Sequence, residues 1–366
     1  MKNKLKSLDL YIKITGFFLM SEVILNCLWG NVLEAASSTR AQRAVILDTD
    51  PALGVRKEGY PRDVDDGLAI IEAMNAKELK LLGVSTVFGN SSVDQGTKVA
   101  KQLMALKRVK LPILKGASGP ATEKTRVHEN QAVNWMAKTL KNRKATIIAL
   151  GPLTNVARLI RKHPEVMSNI EEIIAVMGRS PGLRFMIGEK GPVRDFNFRK
   201  DVKAAQYVMT SKVPITLAPF ELSVQVGFHD KDLLKINRNR SELSSYLYKS
   251  MKVWLDFWKK QFPTDKGFHP WDSAAIATLL HPELFRCEKR SFRFSKVSES
   301  AHGLGRKETG NKQTQQIWFE LSNTFQTTMN KPSSDQRQSQ KKINFCFDFK
   351  AGKKEEFKER VLEHIY

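Results

Sequence analysis

Five aspartates, Asp48, Asp50, Asp63, Asp65 and Asp66, crowd the stretch from Ala44 to Ala76. An apolar run, Ala44 to Leu47, leads straight into Asp48 and Asp50, and a loop then returns the chain to Asp63, Asp65 and Asp66. Beyond them Leu68, Ile71 and Met74 recur at helical spacing. The pattern predicts a buried strand, a loop and a helix, with carboxylates gathered where the strand exits and the helix begins. Carboxylates held that close repel one another, so some take up protons or a cation neutralises them. An all-oxygen donor set favours a hard ion, calcium or magnesium, over zinc. The plainer alternative, that Asp65 or Asp66 caps the helix, accounts for one or two of the five. It leaves Asp48 and Asp50 unexplained.

The elements that must position these groups follow in order. LKLLGVSTVFGN reads as a strand ending at Gly89 and Asn90, and a helix from about Gln95 to Lys107 sets Val99, Leu103 and Leu106 on one face. A short strand at Leu111 to Leu114 and a helix around Val133 to Leu140 precede ATIIALGPLTNVARLI. That segment predicts a buried strand, a Gly-Pro turn and a helix capped by Thr154 or Asn155. IEEIIAVMG is a strand reaching Met177 and Gly178, Asp201 to Met209 a helix, and VPITLAPF a strand. A long helix is expected over Glu242 to Gln261, with Leu247, Met251, Leu255 and Trp258 towards the core, and another from about Asp272.

Strands alternating with helices predict an α/β fold, a doubly wound, mainly parallel sheet with helices on both faces. Asp48, Asp50, Asn90, Leu150 with Gly151, and Met177 all follow apolar strands, and such sheets bind ligands along that carboxyl edge. Beyond Phe285 the character changes. SFRFSKV, QIWFELS and KINFCFDF alternate as antiparallel strands do, KKEEFKERVLEHI reads as a closing helix, and the result is a small antiparallel C-terminal portion. Glu299 to Gln316 and Asn330 to Lys342 are polar and read as exposed loops.

The net charge of +22 over 366 residues suits nucleic acid or an anionic membrane surface. No basic stretch is interleaved with regular aromatics, however, and the surplus is spread along the chain. The expectation is therefore no dedicated nucleic-acid site. Cys27, Cys287 and Cys346 show neither metal-ligand spacing nor a disulfide framework. Residues 1–36 carry early lysines, an apolar run and small residues at Ala35, Ala36 and Ser37, the order of a secretory signal peptide. Export, to a periplasm, is expected, with a disordered or membrane-associating N-terminal extension, and otherwise a cytoplasmic location, as the alternative. The run is short and broken by Glu22, so no integral membrane segment is expected in the mature chain. The rest, 43–366, reads as one α/β domain.

DTDP with DVDDGLAI, then VFGN, ALGPLTNVA, RDFN and PWDSAAIA resemble, in order and spacing, the inosine–uridine nucleoside hydrolase family. The resemblance implies hydrolysis of the N-glycosidic bond of a ribonucleoside, with a bound calcium ion and a small-molecule nucleoside as partner. It implies Asp50 as calcium ligand and general base, Asp66 and Asp272 as further calcium carboxylates, and the Leu150 carbonyl as another ligand. It implies Asp65, Asn90 and Asn197 as ribose contacts, with Met177 beneath the sugar, and a chain able to form homo-oligomers.

The departures are specific. GVRKEGYPR, Gly54 to Arg62, interrupts the family's compact aspartate motif. Asp195 stands where the family has glutamate, Glu189 where it tends to have a ribose-binding asparagine, and Trp271 where some members place a histidine that protonates the leaving base. An indole N–H is no useful acid. Trp271 stacking on a base and His269 reaching in from the preceding loop are the two expected substitutes. Read individually, Asn90 suits a turn, Met177 a core, Asp272 an N-cap and His269 an exposed loop. Two other functions fit parts of the pattern: a phosphatase with Asp48 as nucleophile and Asp50 as acid, and a nucleoside- or ribose-binding protein without turnover. The first leaves GPLTN and RDFN unexplained.

Overall fold

The computed structural model describes residues 41–120, 130–180, 183–265, 267–297, 316–322 and 341–366. The compact unit they build is Arg43–Tyr366. The expected signal segment, 1–36, lies outside the described residues, as do most of the two polar loops.

The unit opens with β1 (Arg43–Thr49), a small hairpin of β2 (Arg56–Lys57) and β3 (Tyr60–Pro61), and helix α1 (Asp65–Asn75). Next come β4 (Leu79–Thr86), α2 (Val93–Lys107), β5 (Ile113–Lys115), α3 (Gln131–Asn142), β6 (Ala145–Ala149), α4 (Thr154–Lys162) and β7 (Ile170–Ala175). A second hairpin, β8 (Phe185–Ile187) and β9 (Lys190–Val193), precedes α5 (Phe196–Lys200), α6 (Val202–Thr210) and β10 (Ile215–Leu217). Helices α7 (Phe220–Ser223), α8 (Asp230–Ile236), α9 (Glu242–Gln261) and α10 (Ser273–Leu280) follow. The chain ends with β11 (Phe285–Val297), β12 (Gln316–Ser322), β13 (Lys342–Phe349) and α11 (Lys353–Ile365).

One nine-stranded sheet runs in the order β12-β11-β13-β10-β7-β6-β1-β4-β5. From β13 to β5 every neighbour is parallel, and β11 runs antiparallel to both β13 and β12. This is the expected doubly wound α/β fold with an antiparallel C-terminal portion. The strand sequences explain the layers, because side chains alternate across a strand. Val45 and Leu47 enter a core with α1, α2, α9, α10 and α11, while Ile46 between them enters another with α3, α4 and α6. Ile148 and Ile174 share the first core, and their neighbours Ile147 and Ile173 the second. Each such aliphatic side chain contributes about 1.5–3 kcal/mol through burial.

From β1 the chain winds outward to β4 and β5 on one side, then returns to build β6, β7, β10 and β13 on the other. The strand order therefore reverses between β1 and β6, whose registers align Asp48 with Ala149. Crevices at such a switch point, outside the carboxyl ends of the strands, are where these folds bind ligands. Asp50 sits there.

Two local expectations are corrected. Leu153, not Thr154 or Asn155, occupies the N-cap of α4. Thr154 instead donates to Asp201 Oδ2 at 2.7 Å, and Asn155 is buried beneath the site. Cys287 and Cys346, whose spacing predicts no disulfide framework, form a disulfide with a Cα–Cα distance of 4.0 Å. They are directly opposite in the antiparallel register of β11 with β13. A separation of 59 residues carries no such information in sequence, since the strand pairing sets it.

Candidate active site

Helix α1 begins at the N-cap Val64, whose side chain makes no capping bond. Asp65 and Asp66 lie in its first turn, and the Asp66 side chain turns back to the end of β1. Asp66 accepts from the Thr49 hydroxyl, from Asp50 N at 3.0 Å and from Asn90 Nδ2 at 3.1 Å. Asp272 occupies the N-cap of α10 but caps nothing with its side chain. Carboxylate oxygens of Asp65, Asp66 and Asp272 lie within 4.8 Å of one another, and all three residues are buried.

This grouping is electrostatically costly in an apo protein. Burial, followed by the charge of Asp66, holds the Asp50 carboxyl well above the usual carboxylate range. Burial and then Asp63 do the same to Asp65, and burial with Asp65 and Asp66 raises Asp272. Among the described residues, Asp50 Oδ1, Asp65 Oδ1 and Asp272 Oδ2 are buried and find no hydrogen-bond partner. Oxygen-only donors, mutually repelling and partly orphaned, fit a hard divalent cation that supplies the missing positive charge.

Asp50 is held in a tight cradle. Its Oδ2 accepts from Asn90 N, and the chain passes on either side at Gly89 and Gly151. A Cβ at Gly89 would lie 1.8 Å from Asp50 Oδ2, and one at Gly151 2.5 Å from Oδ1. Behind it, Asp48 is fully buried and accepts from Ser85 Oγ at 2.6 Å and Asn155 Nδ2 at 2.8 Å. Burial pushes Asp48 up to about 6, against the lowering effect of those two bonds.

A cavity of about 520 Å³ opens in front of the carboxylates, within the size of small-molecule sites. Asp65, Asn90, Leu150, Met177, Asp195, Asn197, Trp271 and Asp272 all line it. Asn197 Nδ2 donates to the carbonyls of Leu150 at 2.6 Å and Val176 at 2.9 Å, tying together the ends of two strands. Asp195 caps α5 through Phe198 N at 3.0 Å and accepts from Gly178 N at 2.6 Å. Its carboxylate is thereby engaged by backbone. Two expected site residues stand apart from the cavity. Glu189 is exposed in the turn of the β8–β9 hairpin. His269 is buried rather than loop-exposed, with Nδ1 2.9 Å from the Val226 carbonyl and Nε2 2.7 Å from Asp265 Oδ2.

The opposite wall is aromatic. Phe185 stacks on Phe220 with centroids 4.3 Å apart, and Phe220 stacks on Trp271 at 5.0 Å. Trp254, Phe257, Trp258 and Phe262 from the end of α9 and its exit complete it. Trp258 packs in the core, as its helical spacing predicts, and also lines the cavity; Phe220 is absent from the sequence expectations, although it follows β10 by the same strand-end rule that singles out Asn90 and Met177. Asn155 was also missed, despite lying within the GPLTN segment.

Fold and site define an α/β enzyme with an oxygen-only ion site at the switch point and an aromatic cavity beside it. The family description "Inosine-uridine preferring nucleoside hydrolase" matches residues 45–353. The chain is 30% identical over 271 residues to the pyrimidine-specific ribonucleoside hydrolase RihA of Escherichia coli O1:K1, covering 67% of this chain and 82% of that one. It is 27% identical over 273 residues to the probable uridine nucleosidase 1 of Oryza sativa subsp. japonica, covering 67% and 79%. Among solved structures, the plant nucleoside hydrolase PpNRh1 superposes with a TM-score of 0.67 at 19% identity, over 88% of this chain and 98% of that one. The purine-preferring ribonucleoside hydrolase from Gardnerella vaginalis gives 0.66 at 18%, over 88% and 99%. At those identities the structures speak to the fold. The chain belongs to the inosine–uridine preferring nucleoside hydrolase family and is a nucleoside hydrolase.

Proposed function

We propose that this enzyme hydrolyses the N-glycosidic bond of ribonucleosides with calcium as its resident ion and Asp50 as general base. The observation that carries the reading is the convergence of the buried Asp65, Asp66 and Asp272 carboxylates beside Asp50. Asp50, Asp66, Asp272 and the Leu150 carbonyl would hold the ion, and Asp65 stands close enough to join them. When bound, calcium accepts roughly six to eight oxygens, acidifies a coordinated water and leaves room for sugar hydroxyls.

The chain's own residues account for the remaining chemistry. Asp50 takes the proton of the attacking water, whose oxygen bonds to C1′ as the bond from C1′ to the base nitrogen breaks. Positive charge grows on the sugar ring in such reactions, and the carboxylates of Asp50 and Asp65 face it from a site already organised to receive it. Asn90 and the Oδ1 of Asn197 are the neutral groups offered to the ribose. Both ring nitrogens of His269 face protein acceptors behind Trp271, so Trp271 and Phe220 meet the base by stacking rather than by protonating it. Asp48 is fully buried and held by Ser85 and Asn155, which argues against the phosphatase alternative, in which it would be the nucleophile. The Cys287–Cys346 disulfide supports folding in an oxidising compartment, in keeping with export. Among the described residues no helix is long and apolar enough to cross a membrane.

Release of reducing sugar from inosine, adenosine, guanosine, uridine and cytidine tests the reading, with Asp50→Asn and chelator-treated protein in parallel. Turnover that falls about a hundredfold or more in Asp50→Asn, and returns with calcium after chelation, is expected. Undiminished turnover by Asp50→Asn would remove Asp50 from the role of base.

A further inference from the structure

Asp63 has no part in the chemistry above, yet it lines the cavity. It directly follows the inserted segment Gly54 to Arg62, which folds as the β2–β3 hairpin and is anchored on both sides. Arg62 N donates to the Val55 carbonyl at 3.0 Å, and Arg62 Nε to the Asn90 carbonyl at 2.9 Å. The Tyr60 ring packs against Phe257 of α9 with centroids 5.9 Å apart, and both Asn90 and Phe257 line the cavity. These contacts hold Asp63 at the cavity wall. Its Oδ1 accepts from Val64 N at 2.8 Å, which orients the carboxylate. A carboxylate has about four acceptor sites, so the group keeps capacity for a donor in the cavity.

The carboxylates that line the cavity are those of Asp63, Asp65, Asp195 and Asp272. Asp65 and Asp272 converge with Asp66 on one point, and Asp63 stands outside that group. Asp195 accepts from the backbone amides of Phe198 and Gly178. Asp63 is therefore the lining carboxylate left for substrate. What it takes is set by the sugar. Only the 2′- and 3′-hydroxyls are neighbours on the ribose ring, so they are the pair that one ion can chelate. C1′ carries the base, and the ring oxygen has no proton to give. The 5′-hydroxyl is the remaining donor, and an ionised acceptor makes the stronger kind of hydrogen bond to it. We propose that Asp63 accepts a hydrogen bond from the 5′-hydroxyl and so selects nucleosides in which that hydroxyl is free. This inference rests on the proposed N-glycosidic hydrolysis.

The test compares kcat/KM of the calcium-loaded full chain for each nucleoside and its 5′-deoxy counterpart, in the wild type, Asp63→Ala and Asp63→Asn. The second variant keeps an oxygen for Val64 N and replaces the other by an amide nitrogen that cannot accept. The wild type is expected to favour the 5′-hydroxyl form by about tenfold or more, the scale of one hydrogen bond to a charged acceptor. Both variants are expected to bring that ratio towards one, with calcium affinity by titration calorimetry unchanged. A ratio unmoved by either substitution overturns the assignment while leaving the hydrolase reading in place, because a merely structural Asp63 lowers both rates together. A tenfold loss of calcium affinity in Asp63→Asn also overturns it and makes Asp63 an ion ligand. If the wild type turns over neither form, the hydrolase reading fails, and thermal shift with the same pairs of nucleosides decides about Asp63 separately. Greater stabilisation by the 5′-hydroxyl form, lost in the variants, upholds the contact, and equal response to both forms or to none overturns it.

Discussion

Asn155 and Asp48, 107 residues apart in the chain, are joined by a 2.8 Å hydrogen bond beneath the catalytic edge of the sheet. The same amide also donates to the Thr86 carbonyl at 3.0 Å, and its oxygen accepts from Ala117 N at 2.9 Å. Asn155 thereby ties β1 to the end of β4 and the segment after β5. Replacing it by alanine leaves three buried groups short of a partner, each such loss costing about 1–3 kcal/mol. Asn155→Ala is expected to destabilise the fold by at least that much in urea unfolding. It also removes a bond that lowers Asp48, so the Asp48 carboxyl moves above about 6. Because Asp48 binds its proton more tightly folded than unfolded, its contribution to stability falls as pH rises from about 4 to 6. The variant extends that decline to higher pH.

Glu72, further along α1, carries the same kind of signature. It is buried, accepts from the Ser273 hydroxyl, and is pushed by burial from 4.5 up to about 8. Folding then favours the protonated acid, and stability drops as pH rises between those values. Glu72→Gln keeps the shape and removes the charge. It is expected to match the wild type near pH 4.5 and to exceed it by about 1–3 kcal/mol near pH 8, measured as thermal midpoints across the pH series. A constant difference at every pH would show that Glu72 does not titrate in that window.

Much of this was legible in sequence because strand-end chemistry is local. Asp48, Asp50, Asn90, Leu150 and Met177 follow apolar strands, and the periodicity of α9 and α11 reads directly as amphipathic helices. What escaped depends on pairing across the fold. The aromatic wall joins Phe185, Phe220 and Trp271 from three separate segments, and their stacking has no local pattern. The Cys287–Cys346 bridge follows from the β11–β13 register, which periodicity alone does not set. Asn155 looked like a cap because asparagine near a helix start usually is one, yet its position within the sheet's carboxyl edge gave it a buried carboxylate to hold.

Gly151 follows β6 and abuts the Asp50 carboxylate. Any side chain there would place its Cβ 2.5 Å from Asp50 Oδ1 and 2.8 Å from Val87 Cγ1, so either the carboxylate rotates or the strand ends separate. Gly151→Ala is therefore expected to lower kcat about a hundredfold, the scale of losing a positioned base. Calcium affinity by titration calorimetry should fall with it, since Asp50 serves both roles in the proposed mechanism. Normal affinity with normal kcat would mean that the loop yields and that Asp50 does not depend on this contact.

Trp271 separates two accounts of how the base leaves. It lies between the cavity and His269, with ring centroids 4.7 Å apart, and is stacked against Phe220 on the aromatic wall. If the base leaves with help from stacking, Trp271→Phe retains most activity, while Trp271→Ala loses about 1–3 kcal/mol of base binding, read as a rise in KM with purines affected most. If His269 were the acid, Trp271→Ala would open its path to the substrate, and kcat would hold or rise. His269→Gln in the Trp271→Ala background then distinguishes them. A further loss of kcat assigns the proton to His269, whereas an unchanged kcat leaves the aromatic wall as the group that handles the base. The bonds from His269 to Val226 and Asp265 favour the second outcome, because the ring would have to break both before it could turn towards the cavity.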